Sequence, residues 1–339
     1  MRPLFAIACA ILVPSVHNDP PRALPKLPVF EGRAIALSAE QSAALARGEP
    51  AVQLLESKDG RVTAVFGIVA ITGTRKAFMD RLTSFAPSVR SPELRSFGVF
   101  KTPATPANVG AFTVSAGDVS SLRKCRAGKC EFKLPAADIA RAKSILDSGG
   151  AGPVKLAAFA QRRAAEYVNA YRERGNAAMV VYDDYGKGSV RASDAFAALL
   201  AGSTYLAQNA PALQQYLQQY PRNRPAGASD IIYWSVEAMK GLRPTLTINQ
   251  LVVFSPPSRP NMTFAVTKQL FADHYFEGML DERIAVDRAD APTGGGFYLM
   301  VLRQYRFDNL PGGILDIRGR ARSALHDRVD AELRRMQKQ

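Results

Sequence analysis

The chain is poor in the residue types that most often build catalytic and metal centres. Its 339 residues include only three histidines, three cysteines and one tryptophan. It has no G-x-S-x-G nucleophile elbow, no H-E-x-x-H metal motif and no Walker phosphate loop. The glycine run at 294–296 lies between two predicted strands, which indicates a hairpin turn. The sequence therefore predicts no catalytic residue, no metal site and no cofactor.

Long hydrophobic runs are also missing, except at the start. No run reaches the roughly 18–20 residues that a membrane-spanning helix needs. The longest, from Pro3 to Pro14, follows a single arginine and has the length of the apolar core of a signal peptide. We expect a signal peptide over 1–18, cleavage between about Ser15 and Arg22, and a periplasmic or secreted protein. The alternative is an internal apolar strand in a chain whose true start lies upstream.

The cysteines support export. Removal of the signal would take Cys9 with it and leave Cys125 and Cys130, an even and closely spaced pair that predicts a disulfide in an exported chain. Gly128 lies in the loop between them, and its backbone freedom helps the two Cβ atoms to approach. Two free thiols are the alternative. A metal site is disfavoured because this pair would need further ligands in a chain with few histidines.

Acidic residues are in deficit. Lysine and arginine number 44 against 30 acidic residues, which gives a net charge of +14. The excess is spread along the chain, and between Arg318 and Arg335 basic residues mix with acidic ones, as on a solvated helix face. No basic block with interleaved aromatics occurs, so nucleic acid is not an expected partner. The excess favours either a loose association with an anionic membrane surface or plain solubility, and it leaves the oligomeric state open.

The first part of the chain predicts a leader followed by strands. Four prolines among residues 19–30 predict a proline-rich leader over 19–34, with folded structure beginning at Ile35. The segment RVTAVFGIVAIT predicts a strand in a hairpin with VQLLES, and a helix is predicted over 74–86. Short strands and turns are predicted from Leu94 to Leu134.

The remainder alternates a helical block with a run of strands. Helical periodicity predicts an insertion at about 135–227, and β-branched and aromatic residues between Asp230 and Asp308 predict an antiparallel meander. A closing helix is predicted over 313–336, because its apolar residues recur at intervals of three and four. Helices are segregated from strands, which predicts one α+β domain over 35–339. The helices of the insertion are predicted at 135–147, 153–174, 193–208 and 211–220.

This order of elements resembles the helix-grip fold of the START-like, or SRPBCC, superfamily. The matching parts are the strand RVTAVFGIVAIT with the helix after it, the meander and the terminal helix, about half of the chain. The helical insertion departs from the usual pattern, which has a few strands there. The resemblance implies a curved antiparallel sheet that grips the long C-terminal helix. The segments LRKCRAGKCEFKLP, VTKQLFADHYF and LRQYRFDNLPGG also resemble an uncharacterised family of exported bacterial proteins, and this likeness implies no function.

Polar residues inside the predicted meander are candidate ligand-binding residues. Strand alternation places Lys268 and His274 on one face of a single predicted strand and Asp273 on the other. In the last predicted strand Arg303 lies among apolar residues, and Arg306 lies on the opposite face. Either arginine could pair with Asp273 or hold a ligand anion.

An aromatic pair opens the meander. Tyr233 and Trp234 could form an aromatic wall beside Glu237. Structural roles stay open for all the candidates, namely a satisfied core histidine, ion pairs and a packed indole. The predicted ligand-binding residues are Trp234, Lys268, His274, Arg303, Tyr233 and Arg306.

The leading functional hypothesis is an exported binding protein rather than an enzyme. It holds a lipid-like or other hydrophobic small molecule in a cavity between the sheet and the C-terminal helix. The hypothesis predicts that one cavity of roughly 300 Å³ or more lies beneath that helix. The residues expected to converge on it are Trp234, Lys268, His274 and Arg303.

Two other functions stay open. One is an envelope hydrolase acting on a lipid or cell-wall substrate, with His274, Asp273 and Glu237 as proton-transfer groups. The other is a protein-interaction module whose helical insertion binds a partner. All three hypotheses place the protein outside the cytosol, and the predicted disulfide suits that environment.

Overall fold

A computed structural model describes most of the chain. The described residues are 24–150, 152–183, 186, 188–239, 242–289, 291, 295–308 and 317–338. The predicted signal peptide over 1–18 and its cleavage region lie outside them. None of the helices in these ranges combines the length and the apolar character that crossing a membrane requires.

The strands and helices follow the predicted alternation. The strands are β1 (Val29–Phe30), β2 (Arg33–Ala34), β3 (Ala51–Leu55), β4 (Val62–Thr72), β5 (Leu94–Val99), β6 (Val181–Tyr182), β7 (Val190–Arg191), β8 (Ser229–Glu237), β9 (Thr245–Phe254), β10 (Met262–Ala272), β11 (Phe276–Asp287) and β12 (Gly296–Phe307). The helices are α1 (Ala39–Ala46), α2 (Arg75–Thr83), α3 (Ala116–Lys124), α4 (Ala136–Asp147), α5 (Gly152–Arg174), α6 (Ala192–Gly202), α7 (Thr204–Asn209), α8 (Pro211–Gln219) and α9 (Ile317–Gln337).

Eight strands form one antiparallel sheet in the order β3-β4-β12-β11-β10-β9-β8-β5. The last strand, β12, pairs with the early strand β4, while β5 lies at the far edge. The strands from β8 to β12 are neighbours in sequence order, as an antiparallel meander predicts. The α+β class, the large antiparallel sheet and the C-terminal helix are confirmed.

Helices cover both faces of this sheet. We call one side the α9 face, because Val65, Ala265 and Val301 pack there with residues of α2 and α9. We call the other side the insertion face, because Phe66 and Val266 pack there with residues of α5 to α8. Each strand thus alternates between two apolar layers, which explains why its sequence reads as a nearly continuous hydrophobic run.

Helix α9 approaches the sheet closely at a glycine. A Cβ atom at Gly67 would lie 2.7 Å from Leu333 Cδ1 and 3.0 Å from Val329 Cγ1. Any larger residue would therefore push the helix outward. Gly67 pairs with Val301 of β12, so the contact fixes α9 over the middle of β4.

A third, smaller apolar cluster stands beside the sheet. It contains Leu122 of α3, Phe132, Ile139 of α4 and Leu156 of α5, and we call this part the α3–α4 lobe. The predicted disulfide is present, with the sulfur atoms of Cys125 and Cys130 bonded at 2.17 Å. The bond closes the turn that follows α3, so it fixes one wall of the lobe.

Three sequence-based expectations are wrong in detail. Folded structure begins before Ile35, because Phe30 is buried and the Glu31 N–H donates to the Gly202 carbonyl at 3.1 Å. The segment from Leu94 to Leu134 contains a helix, α3, whose Ser115 accepts from the Asp118 N–H in a capping box. The single strand predicted across Lys268 to Phe276 is two strands, β10 and β11, joined by a turn.

Candidate functional site

The predicted convergence of four residues on one cavity is wrong. Arg303 lies on the α9 face, where it contacts Glu332 of α9. Lys268 and Trp234 lie on the insertion face, where their neighbours are Tyr171 and Asn108. The face of β10 changes at a bulge between Gln269 and Phe271, so simple alternation misplaces the residues beyond it.

A network of buried ion pairs connects the sheet to α9. Arg303 donates to Asp281 Oδ2 at 2.8 Å and to Glu332 Oε2 at 2.9 Å. Arg283 contacts the same two carboxylates, at 3.1 Å and 2.6 Å. Burial alone would raise the pKa of Glu332, but Arg283 and Arg303 outweigh it and hold that pKa well below its usual range. The expected partner of Arg303, Asp273, is not in this network.

A small polar chamber adjoins this network. It has a volume of about 140 Å³ and is lined by residues of α2, β5, β8 to β12 and α9, including Tyr233. Oδ1 of Asp281, Oδ1 of Asn249 and Nε of Arg328 are buried without a hydrogen-bond partner among the described residues. The chamber beneath the C-terminal helix is thus smaller and more polar than the predicted cavity of roughly 300 Å³.

Lys268 is part of a different network on the insertion face. Its ammonium group contacts Tyr171 Oη at 3.1 Å and Asn176 Oδ1, and it lies 4.1 Å from the ring centre of Phe196. Burial holds the pKa of Lys268 well below its ordinary value, against the opposing effect of Asp230. All of these partners are side chains of the protein, so the contacts around Lys268 are structural.

The other predicted residues also have protein partners. The indole N–H of Trp234 donates to the Asn108 carbonyl at 2.7 Å within the core. Arg306 donates to Glu277 Oε2 at 2.8 Å and pairs with Asp59. Of the six candidates, only His274 contributes to the large cavity described next, and only Tyr233 and Arg303 line the small chamber.

A large cavity lies on the insertion face, between the sheet and the α3–α4 lobe. Its volume is about 970 Å³. It lies between the apolar cluster of the insertion face and the apolar cluster of the α3–α4 lobe. The buried residues of the lobe pack against one another and not against β8 and β9. Its apolar lining includes Leu122, Phe132, Leu134, Phe159, Val180, Val236, Leu246, Ile248 and Phe271.

Helix α5 forms one wall of this cavity. The lining residues of α5 recur at intervals of three and four, which places them on one side of the helix. Tyr167 fixes this wall, because its hydroxyl donates to the Leu270 carbonyl at 2.6 Å, at the bulge of β10. The lining residues of α5 are Leu156, Phe159, Ala160, Arg163, Ala164, Glu166, Tyr167, Ala170 and Arg174.

Asp273 and His274 contribute polar atoms to the cavity wall. The Leu246 N–H donates to Asp273 Oδ1 at 2.8 Å, and His274 Nδ1 lies 2.9 Å from the Glu131 carbonyl oxygen. A carbonyl only accepts, so Nδ1 carries a proton, and Nε2 is the ring nitrogen left open to a ligand. Burial raises the pKa of Asp273 to about 6, against the opposing effects of His274 and the Leu246 N–H.

The three residues of the hydrolase hypothesis do not come together. Glu237 pairs with Arg328 on the α9 face, whereas Asp273 and His274 line the cavity on the insertion face. The sheet separates Glu237 from the other two. A shared proton-transfer role for all three is therefore wrong.

Sequence reasoning missed the α5 residues that line the large cavity and, elsewhere on the insertion face, the buried Glu282. The periodicity of α5 was the available signal for the cavity wall, since Phe159 and Tyr167 recur on one helix face. Glu282 gave no signal, because it stands between Asp281 and Arg283 in a segment that reads as exposed charge. It is fully buried, both of its carboxylate oxygens lack a hydrogen-bond partner among the described residues, and burial raises its pKa to about 7.

Comparison with known proteins gives no independent assignment. The chain matches no protein-family model and no curated protein. The function must therefore be argued from the geometry of the two faces.

Proposed function

We propose that this protein binds a hydrophobic, lipid-like small molecule in the cavity on the insertion face. The observation that carries the proposal is a volume of about 970 Å³ with a mainly apolar lining. Pockets of roughly 300–1,000 Å³ with apolar walls and a few polar groups are typical ligand sites. The chamber beneath α9, at about 140 Å³, is too small for a lipid-like molecule.

The charged residues at the cavity agree with this ligand class. The positive charge of Arg163 is balanced by two carboxylates, because its guanidinium donates to Asp138 Oδ1 at 2.9 Å and to Glu166 Oε2 at 2.7 Å. Arg95 and Arg174 are exposed at the rim. Aromatic and aliphatic side chains make up most of the remaining lining. Binding of an apolar chain against them would be stabilised by about 25 cal/mol for each Å² of apolar surface removed from water.

Strand order supports a helix-grip framework for this binding protein. The first long strand, β4, pairs with the last, β12, and α9 follows β12 and packs against β4. The resemblance implied a ligand between sheet and C-terminal helix. We propose instead that the ligand lies on the opposite face, because the helical insertion and the α3–α4 lobe create the larger space there.

Export is part of the proposal. The apolar start over residues 3–14 and the disulfide between Cys125 and Cys130 support a periplasmic or secreted location. N-terminal sequencing of protein from the native envelope tests it. We expect a mature start between about Ser15 and Arg22, and an intact Met1 in the cytosolic fraction would contradict export.

Extraction of the purified protein with organic solvent, followed by mass spectrometry, tests ligand binding directly. We expect a co-purifying hydrophobic molecule in the parent protein. Ala160 lines the cavity, so Ala160→Phe should fill part of it and lose the molecule. Ala140→Phe is the matched control, because Ala140 is an exposed helical alanine outside the lining, and it should retain the molecule. An empty parent protein that also takes up no added lipid would contradict the proposal.

A further inference from the structure

Away from the exposed Arg95 and Arg174 at its rim, the wall of the large cavity offers polar atoms at Asp273 and His274. Asp273 uses Oδ1 for the Leu246 N–H, and its second carboxylate oxygen has no hydrogen-bond partner among the described residues. His274 is 3% exposed, and its Nδ1–H is directed to the Glu131 carbonyl. Its Nε2 has no protein donor among the described residues, and the ring packs 4.6 Å from that of Phe132. The two adjacent residues therefore present a carboxylate oxygen and a ring nitrogen to a ligand.

Other polar residues in the wall are already engaged. The Tyr167 hydroxyl donates to the Leu270 carbonyl and also receives the Val180 N–H at 3.4 Å. Asp118 accepts from the backbone N–H of Ser115 at 2.8 Å and from its hydroxyl at 2.7 Å. The guanidinium of Arg163 is held by two carboxylates. Arg95 and Arg174 are exposed at the rim and Ser96 is half-buried, and among the carboxylate and imidazole groups of the lining Asp273 and His274 are the ones with open capacity.

From this arrangement we infer that the ligand has a hydroxyl or amine group at its polar end, and not a carboxylate. The inference rests on the proposed function. A hydroxyl or ammonium group can donate to Asp273 and His274 together. A carboxylate placed there brings only acceptors and a negative charge toward Asp273, whereas Arg95 and Arg174, the lining arginines without an ion pair among the described residues, are exposed at the rim. Leaving buried acceptors without donors carries a free-energy penalty, so the polar end should control selectivity.

Competition among three ligands of equal chain length tests the inference. Nile red, a neutral hydrophobic probe, is bound first, and dodecanol, dodecylamine and dodecanoate are then titrated at about neutral pH. We expect the alcohol or the amine to displace the probe at a concentration at least about tenfold lower than dodecanoate, the size of effect that one well-placed hydrogen bond produces. In His274→Ala this preference should fall several-fold.

The outcomes distinguish a failure of the inference about the polar end of the ligand from a failure of the proposed function. If all three ligands displace the probe equally, or dodecanoate does so best, the inference fails and the hydrophobic cavity stands. If Nile red and all three ligands fail to bind, the proposed function fails as well. Asp273→Asn is the second variant, since its amide keeps one acceptor for the Leu246 N–H, and it should weaken amine binding more than alcohol binding. An unchanged ratio in both variants would overturn the inference.

Discussion

The two faces of the sheet handle polar groups in opposite ways. On the α9 face, charged residues from β11 and β12 meet Glu332 of the helix in a closed set of ion pairs, and only about 140 Å³ of space is left. On the insertion face, the α3–α4 lobe stands off from the sheet and leaves about 970 Å³ of mainly apolar space. The same strands supply both layers, so the difference comes from what packs on them. The α9 face stabilises the fold, and the insertion face has room for a ligand.

Removal of one buried arginine should produce the largest loss of stability. Arg303→Met leaves Asp281 and Glu332 with a single arginine, and such a break typically costs about 3–5 kcal/mol. Arg334→Met on α9 is the control, because its pair with Asp330 is exposed and contributes about 0–1 kcal/mol. Urea unfolding measures both variants. Equal losses in the two would show that the α9 network is not structural.

Two glutamates, one on each face, should respond to pH in opposite directions. The raised pKa of Glu282, about 7, means that its ionisation opposes folding as pH rises from about 4 to 7. The free energy of unfolding of Glu282→Gln should therefore rise relative to that of the parent over that range, by up to about 3 kcal/mol. The difference should level off above about pH 7. The lowered pKa of Glu332 means that its contribution is complete above about pH 4 and is lost at lower pH.

Urea midpoints measured between about pH 3 and 8 test this contrast. Relative to the parent, Glu332→Gln should be least stable near neutral pH, and its deficit should shrink below about pH 4. If the stability difference from the parent changed with pH in the same direction in both variants, the assignment of opposite roles to the two faces would be contradicted.

The disulfide should have a smaller and more local effect. Chain-entropy reasoning for such a short loop gives a loss of about 2 kcal/mol in a Cys125→Ser, Cys130→Ser double variant. Because the bond fixes the turn between Leu122 and Phe132, which both line the large cavity, Nile red binding should weaken while the α9 face is unaffected. Thiol counting of the denatured mature protein, which lacks Cys9, should find no free thiol before reduction, and two reactive thiols would contradict the bond.

Hydrophobic patterning predicted most of the fold. The strand β4 and the helices α4, α5 and α8 lie within a residue or two of their predicted bounds, because period and capping are local properties. The alternation around Arg303 in β12 was also correct. These features depend only on neighbours along the chain.

The site was less predictable, for physical reasons that concern packing. The bulge in β10 changes which face its residues occupy, and no sequence motif marked it. The turn before β11 moved His274 out of the predicted strand. The gap beneath the α3–α4 lobe depends on how a missed helix, α3, packs with α4 and α5. Register and packing of this kind involve residues far apart in sequence, so a single sequence carries little information about them.

The position of a bound ligand tests the assignment of the two faces most directly. Dodecanol with a photoreactive diazirine group is bound, crosslinked by light and mapped by digestion and mass spectrometry. We predict labelled peptides from α5, from β9 and from the segment around Phe132, with labelling reduced in Ala160→Phe and retained in Ala140→Phe. Labelling concentrated on α2 and α9 would place the ligand on the face assigned to stability and would contradict that assignment.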